Sequence, residues 1–173
     1  MVPGLGSVGV IASERGVVFI EMHAWPAQPV LRHRRDEIVE ADHPVISALF
    51  AQLESYVMGR TKDFPIACDF HGITPMARAA MEAVRKIPYG QTKSYDQLAS
   101  TIPGGTAPVV RDALARNPLP VLIPCHRALA SAHMGAYPGP LATKRSLLAI
   151  EGLDCRKIRD PRTGETTDRV VRR

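Results

Sequence analysis

PVLIPCHRAL, residues 120–129, is the stretch on which the reading of this chain turns. Val121-Leu122-Ile123 predicts a buried strand, and Pro124 then delivers Cys125, His126 and Arg127 at its end. A thiol attacks only as thiolate, and a nearby base or cation lowers its pKa. Sequence neighbours point apart, so a direct Cys125–His126 contact is not expected. A bridging water fits better, with a carboxylate holding the other imidazole nitrogen. A blander reading is a buried cysteine closing a strand, with His126 and Arg127 bonded to backbone. The residues of this stretch alone leave both open.

Composition limits the choices. A chain of 173 residues, 45% hydrophobic, suits one domain or two small lobes sharing a core. A net charge of +5 and a pI near 9.4 make polyanions plausible partners, nucleic acid first. No apolar run reaches the length of a membrane span and no signal pattern opens the chain, so a cytoplasmic protein without a membrane partner is expected. Cys68, Cys125 and Cys155 are odd in number and widely spaced, which favours reduced thiols over a disulfide framework. No CxxC occurs and the histidines lack zinc-ligand spacing, so no metal site is expected.

Outward from the thiol stretch, the pattern predicts an α/β fold of the α+β kind. Residues 1–71 read as a small sheet-and-helix lobe. Val8–Ala12 and Val17–Met22 form a hairpin across Ser13-Glu14-Arg15-Gly16, followed by an exposed basic loop at Arg32-His33-Arg34-Arg35. Ile46, Leu49, Phe50, Leu53 and Val57 keep helical spacing from Pro44 to Gly59, and FPIACDF, residues 64–70, returns as a strand with Cys68 on its buried face. Residues 72–152 read as a helical lobe. Thr74-Pro75 starts one helix, Ser94 caps a short one to Thr101, Thr106 caps another to about Arg116, and Leu141–Glu151 forms the last. The middle pair, joined by a glycine-containing turn, suggests a helix-turn-helix. Residues 153–173, with seven Lys/Arg against four Asp/Glu, read as a solvated, partly disordered basic tail.

NPLPVLIPCHRAL (117–129), IPYGQTKSYDQLA (87–99) and GAYPGPLATKRSLLAIEG (135–152) together resemble the O6-alkylguanine-DNA alkyltransferases, whose active-site core is Pro-Cys-His-Arg. The resemblance covers about residues 72–152. It implies a sheet lobe packed on a helical lobe and suicidal repair of alkylated guanine in double-stranded DNA, by a monomer without a cofactor. Cys125 would attack the alkyl carbon on O6 of a flipped-out guanine. His126 would take the thiol proton through a water, and Glu151 would stabilise the imidazolium. Tyr95 would protonate the departing guanine. Asn117, Pro120, Arg127, Ala128, Tyr137 and Gly139 would surround the substrate, and Thr106, Pro108, Arg111 and Arg116 would face DNA.

The chain departs from that pattern around the substrate. Pro108 stands where the family has an arginine that fills the gap left by the flipped base. Arg111 follows about 4.5 Å further along the helix. Pro138 replaces a residue whose N–H donates to guanine O6, and proline has none to give. Pro140 replaces a glycine, and Ala128 a β-branched residue. A cysteine transferase or binder for a small molecule, and a damage-binding protein with weak transfer, are the alternatives. Retention of Cys125 speaks against a pure sensor.

Overall fold

In the computed structural model, the described residues are 5–22, 43–130, 133–159 and 166–172. β1 (Val8–Ser13) and β2 (Gly16–Met22) pair antiparallel across the expected turn, with a bulge at Ile11/Ala12. Asp69 fixes the turn. Its buried carboxylate accepts bonds from Ser13 Oγ (2.7 Å), Arg15 Nε (3.2 Å) and His71 N–H (2.8 Å). The basic loop at residues 32–35 lies outside the described residues.

FPIACDF does not become a strand. It meets β2 at one bridge, Val17 with Cys68, through Val17 N–H to Ala67 O and Asp69 N–H to Val17 O. Pro65 has no N–H to extend a ladder. Cys68 is accordingly half-buried against the core rather than enclosed.

α1 (Pro44–Val57) buries Ile46, Leu49, Leu53 and Tyr56. α2 (Pro75–Arg85) is capped by Thr74 and buries Ala80, Met81 and Val84. Ser94 caps α3 (Tyr95–Ala99) through a reciprocal bond with Gln97, and α3 stops two residues before its expected end. α4 (Ala107–Ala115) packs on α2 and α3 and completes the helix-turn-helix. Thr106 holds the N-cap position of α4 but makes no side-chain cap bond there, so the expected cap is positional only. α5 (Leu141–Ile150) ends on Glu151. The fold is thus a mixture of helices and strands.

One apolar cluster runs through all of these parts, from Val17, Ile20, Leu53 and Tyr56 to Ala80, Val110, Leu114, Ile123, Cys125 and Leu147. Ile20 N–H donates to Pro118 O (2.8 Å), which ties β2 directly to the segment that carries the thiol.

The C-terminal stretch expected as a partly disordered tail is instead paired as β5 (Leu153–Arg159) and β6 (Thr166–Arg172). Leu153 is buried while Arg156 and Arg169 are exposed, a period-two pattern obscured in the sequence by the density of charge.

Candidate active site

Val121-Leu122-Ile123 is buried, as expected, but it is a tight turn and not a strand. Val121 takes φ 76°, the only positive φ outside glycine among the described residues. A β-branched residue there stores about 1–3 kcal/mol of strain. Asn117 holds the turn closed. Its Oδ1 accepts from Leu119 N–H (3.0 Å), while Nδ2 donates to Ile123 O (2.9 Å) and to Cys125 Sγ (3.2 Å). Asn117 therefore touches the thiol as well as shaping the approach to it. Prolines at 118, 120 and 124 remove the donors that a strand would need.

After Pro124 the chain makes one turn of 3-10 helix, Cys125–Arg127, closed by Arg127 N–H to Pro124 O (2.9 Å). Three residues per turn send the three side chains in three directions. They then pass into β4 (Ala128–Leu129), which pairs in parallel with β3 (Lys93–Ser94).

His126 and Arg127 converge on Glu151 from different sides. His126 Nε2 lies 2.7 Å from Glu151 Oε1, both side chains fully buried. Arg127 donates from Nε (2.9 Å to Oε2) and Nη2 (2.9 Å to Oε1), and from Nη1 to Ile87 O (2.6 Å). Arg127, expected beside the substrate, thus has its guanidinium committed to the carboxylate and a backbone carbonyl. Two further donors complete the site: Tyr56 Oη to Oε1 (2.8 Å) and Gly90 N–H to Oε2 (3.0 Å). Gly90 has φ 71°, and a Cβ there would sit 3.1 Å from Glu151 O, so glycine alone lets the loop approach. Tyr89 Oη also donates to Ile150 O (2.7 Å), so the Pro88-Tyr89-Gly90 turn wraps the end of α5.

Electrostatics follow from this packing. Burial alone would raise Glu151, but the bonds from His126 and Arg127, and the positive charge both carry in the acid range where the carboxyl titrates, outweigh it and hold the carboxyl at about 2. Burial lowers His126 despite Glu151, so the imidazole is neutral at neutral pH. An ionised carboxylate on Nε2 places the imidazole proton there and leaves Nδ1 as the acceptor. Nδ1 is buried without a protein partner among the described residues. Burial pushes the Cys125 thiol up to about 11, against the bond from Asn117 and the charge of Lys144. At rest, then, the proton sits on sulfur beside a neutral base.

The wall of the site is the 133–140 loop. Tyr95, buried, donates to Ala136 O (3.2 Å), and burial raises its hydroxyl to about 12. Gly135, φ 70°, would drive a Cβ to 2.5 Å from Tyr95 Oη. Pro120, Tyr137 and Gly139 come together with Met22, Pro138, Pro140 and Thr143 around a closed cavity of ≈ 10 Å³. That is room for about one water. Tyr137 Oη is another buried polar atom without a protein partner among the described residues. Ala128 is fully buried, and its carbonyl accepts from Lys144 Nζ (2.7 Å). The same ammonium donates to Ala136 O (3.1 Å) and Met134 O, pinning the loop.

Tyr56, Gly90 and Lys144 are absent from the sequence-based set. A signal existed for two of them. Tyr56 follows Leu53 by three on the buried stripe of α1, and Lys144, Leu147, Leu148 and Glu151 fall at i, i+3, i+4 and i+7 on α5.

The residues expected to face DNA are on the surface. Thr106, Pro108, Arg111 and Arg116 are all exposed. Arg111 is paired to its neighbour Asp112, Nη2 to Oδ1 at 2.8 Å. Among the described residues no group of histidine, cysteine and acid side chains forms a metal-binding cluster, and no helix is long and apolar enough to cross a membrane.

Residues 75–153 match the family described as 6-O-methylguanine DNA methyltransferase, DNA binding domain. A methylated-DNA–protein-cysteine methyltransferase of Methanothermobacter thermautotrophicus is 31% identical over 148 residues, 84% of this chain and 80% of that protein. The protein of that name from Sulfolobus acidocaldarius is 27% identical over 151 residues, 87% of this chain and 89% of its own. Among solved structures, the O6-methylguanine methyltransferase of Mycobacterium tuberculosis superposes with a TM-score of 0.70 at 28% identity, covering 85% of this chain and 87% of that one. A second structure, Mycobacterium tuberculosis OGT in complex with DNA, shares the fold with a TM-score of 0.69 at 24% identity, over 87% of this chain and 89% of that one. With its thiol turn, its buried Glu151 centre and these relatives, the chain belongs to the methylated-DNA–protein-cysteine methyltransferase family.

Proposed function

We propose that this protein repairs O6-alkylated guanine in DNA by moving the alkyl group to Cys125, once per molecule. The observation that carries the proposal is His126, held by Glu151 at Nε2 and without a protein partner at Nδ1 among the described residues, in the same turn as a thiol bonded to Asn117. In the step, a sulfur–carbon bond forms as the carbon–O6 bond breaks, and that electron pair stays with the guanine. The thiol proton passes through a water to His126 Nδ1, and Glu151 stabilises the imidazolium. Tyr95 supplies the proton that neutralises the departing base. A thioether does not hydrolyse back, which makes the reaction single-turnover and independent of a cofactor. Each chain carries all of these groups, so a monomer suffices. Cysteines that are odd in number and widely spaced along the chain suit a cytoplasmic setting.

A small-molecule substrate is the competing reading. It is favoured by the exposed face of α4, where Pro108 offers no donor and Arg111 is paired to Asp112. Intact-protein mass after incubation with an O6-methylguanine oligonucleotide separates the two. A gain of one methylene unit is the expected result. No gain from the oligonucleotide, with alkylation by a free alkylated base, favours the competitor.

A further inference from the structure

The β5–β6 hairpin takes no part in the proton relay, yet it carries much of the chain's positive charge. Residues 153–173 hold seven Lys/Arg against four Asp/Glu, a net +3 of the chain's +5. The exposed face of α4, by contrast, neutralises its Arg111 with Asp112.

The strand register places Arg156 directly opposite Arg169, and both are exposed. On the other face Leu153 is buried and Cys155 and Val170 are half-buried, while Arg172, opposite Leu153, is exposed. Two like charges directly opposed across a ladder weaken it unless an anion lies between them. Asp154 offsets only one of the pair, accepting from Arg156 Nε at 3.1 Å. Arg169 has no acidic partner among the described residues. The hairpin is also fixed relative to the site. It follows Glu151 after Gly152 alone, and Leu153 anchors its first residue in the interior.

We propose that this outward face is a phosphate-backbone contact, in which Arg156 and Arg169 grip a nucleic-acid strand outside the thiol site. Two adjacent guanidinium forks match phosphodiester oxygens. A lipid surface fits less well. The exposed large apolar residues among those described are Met58, Val109 and Leu141, none of them on the hairpin, whereas a membrane-surface segment inserts such side chains. The inference rests on the DNA reading above and adds where the non-specific binding resides.

The test is an R156Q/R169Q double variant of the full chain, with R169Q alone as the milder second variant. Binding to an unmodified duplex is followed by anisotropy across salt, and alkyl transfer from free O6-benzylguanine is followed in parallel. Each lost phosphate contact should flatten the slope of log K against log salt by about 0.9, so the double variant should lose about 1.8 and the single about half of that. Transfer from the free base should stay at the wild-type rate. A double variant that reacts normally with the free base but keeps the wild-type slope and affinity overturns the hairpin contact and leaves the DNA reading standing. A wild-type protein that alkylates itself from the free base yet binds no DNA at low salt overturns both. Loss of binding to phosphatidylserine vesicles with unchanged DNA binding would assign the face to lipid instead and overturn the proposal.

Discussion

The thiol centre and the exposed face of α4 obey different physics. Around Glu151 the carboxylate is buried and both its oxygens are answered: Tyr56, Gly90, His126 and Arg127 all converge on it. On α4 the polar groups are exposed, and the Arg111–Asp112 pair is of the kind worth no more than about 1 kcal/mol. A buried network loses several kilocalories when one member goes, whereas a surface pair exchanges its partner for a phosphate at little cost. Chemistry in this chain is therefore rigidly specified, and substrate capture is adjustable.

The largest effect is expected at the thiol. Cys125→Ala should abolish alkyl transfer, leave DNA affinity at the wild-type level and change stability by no more than about 2 kcal/mol. Single-turnover assays and thermal unfolding check this together, and residual transfer would detach the chemistry from the buried centre.

Glu151→Gln should follow. It strips the charge that answers the buried Arg127, for a loss of about 3–5 kcal/mol, and should slow transfer about 100-fold. A pH signature accompanies it. The carboxyl sits at about 2 in the fold against an ordinary 4.5, so its contribution is present above pH 4.5 and lost as pH falls through 2. The expected loss is about 3 kcal/mol. In the glutamine variant this acid limb should vanish, and denaturation curves for variant and wild type should converge as the pH is lowered. A difference that stays constant down to pH 2 would remove Glu151 from its place at the centre.

Lys144→Met sharpens the comparison differently. It relieves the burial that lowers the amine to about 8, but leaves the Ala128 carbonyl and two carbonyls of the loop without their donor. Stability should change by only about 1–2 kcal/mol, because these terms oppose one another, while transfer slows about tenfold as the wall around Tyr137 loosens. Tyr56→Phe should lose about 1.5–3 kcal/mol for one bond to a charged acceptor and affect duplex and free-base transfer equally.

The smallest effects belong to α4. Arg111→Ala should slow repair of duplex lesions a few-fold and spare the free base, and Pro108→Arg should accelerate duplex repair alone. Paired rates on a duplex and on free O6-benzylguanine check both. Equal changes on both substrates would mean that α4 acts on the chemistry.

Local spacing made the hairpin turn, the Thr74 and Ser94 caps and the stripe of α1 readable in advance, because each depends on residues a few positions apart. The same spacing failed at Val121–Ile123, where apolar content predicted a strand. Bonds from Asn117 to residues two to eight positions further on, with three prolines, impose a strained turn instead. The pairing of His126 with Glu151 was legible only through the family resemblance, since 25 residues separate them. Tyr56 was not legible as a partner at all: its stripe position predicts burial, but not the carboxylate 95 positions away. The partners of Arg127 were not legible either, because nothing in its motif reveals that Glu151 and Ile87 claim its guanidinium.

The central claim is that this buried centre exists to make Cys125 accept an alkyl group from DNA. Peptide mapping of the protein after reaction with an O6-methylguanine duplex tests it most directly. The account predicts one added methyl, on the peptide containing Cys125, with Cys68 and Cys155 unmodified. A methyl found on Cys68 or Cys155, or a protein left unmodified by the duplex, would contradict it.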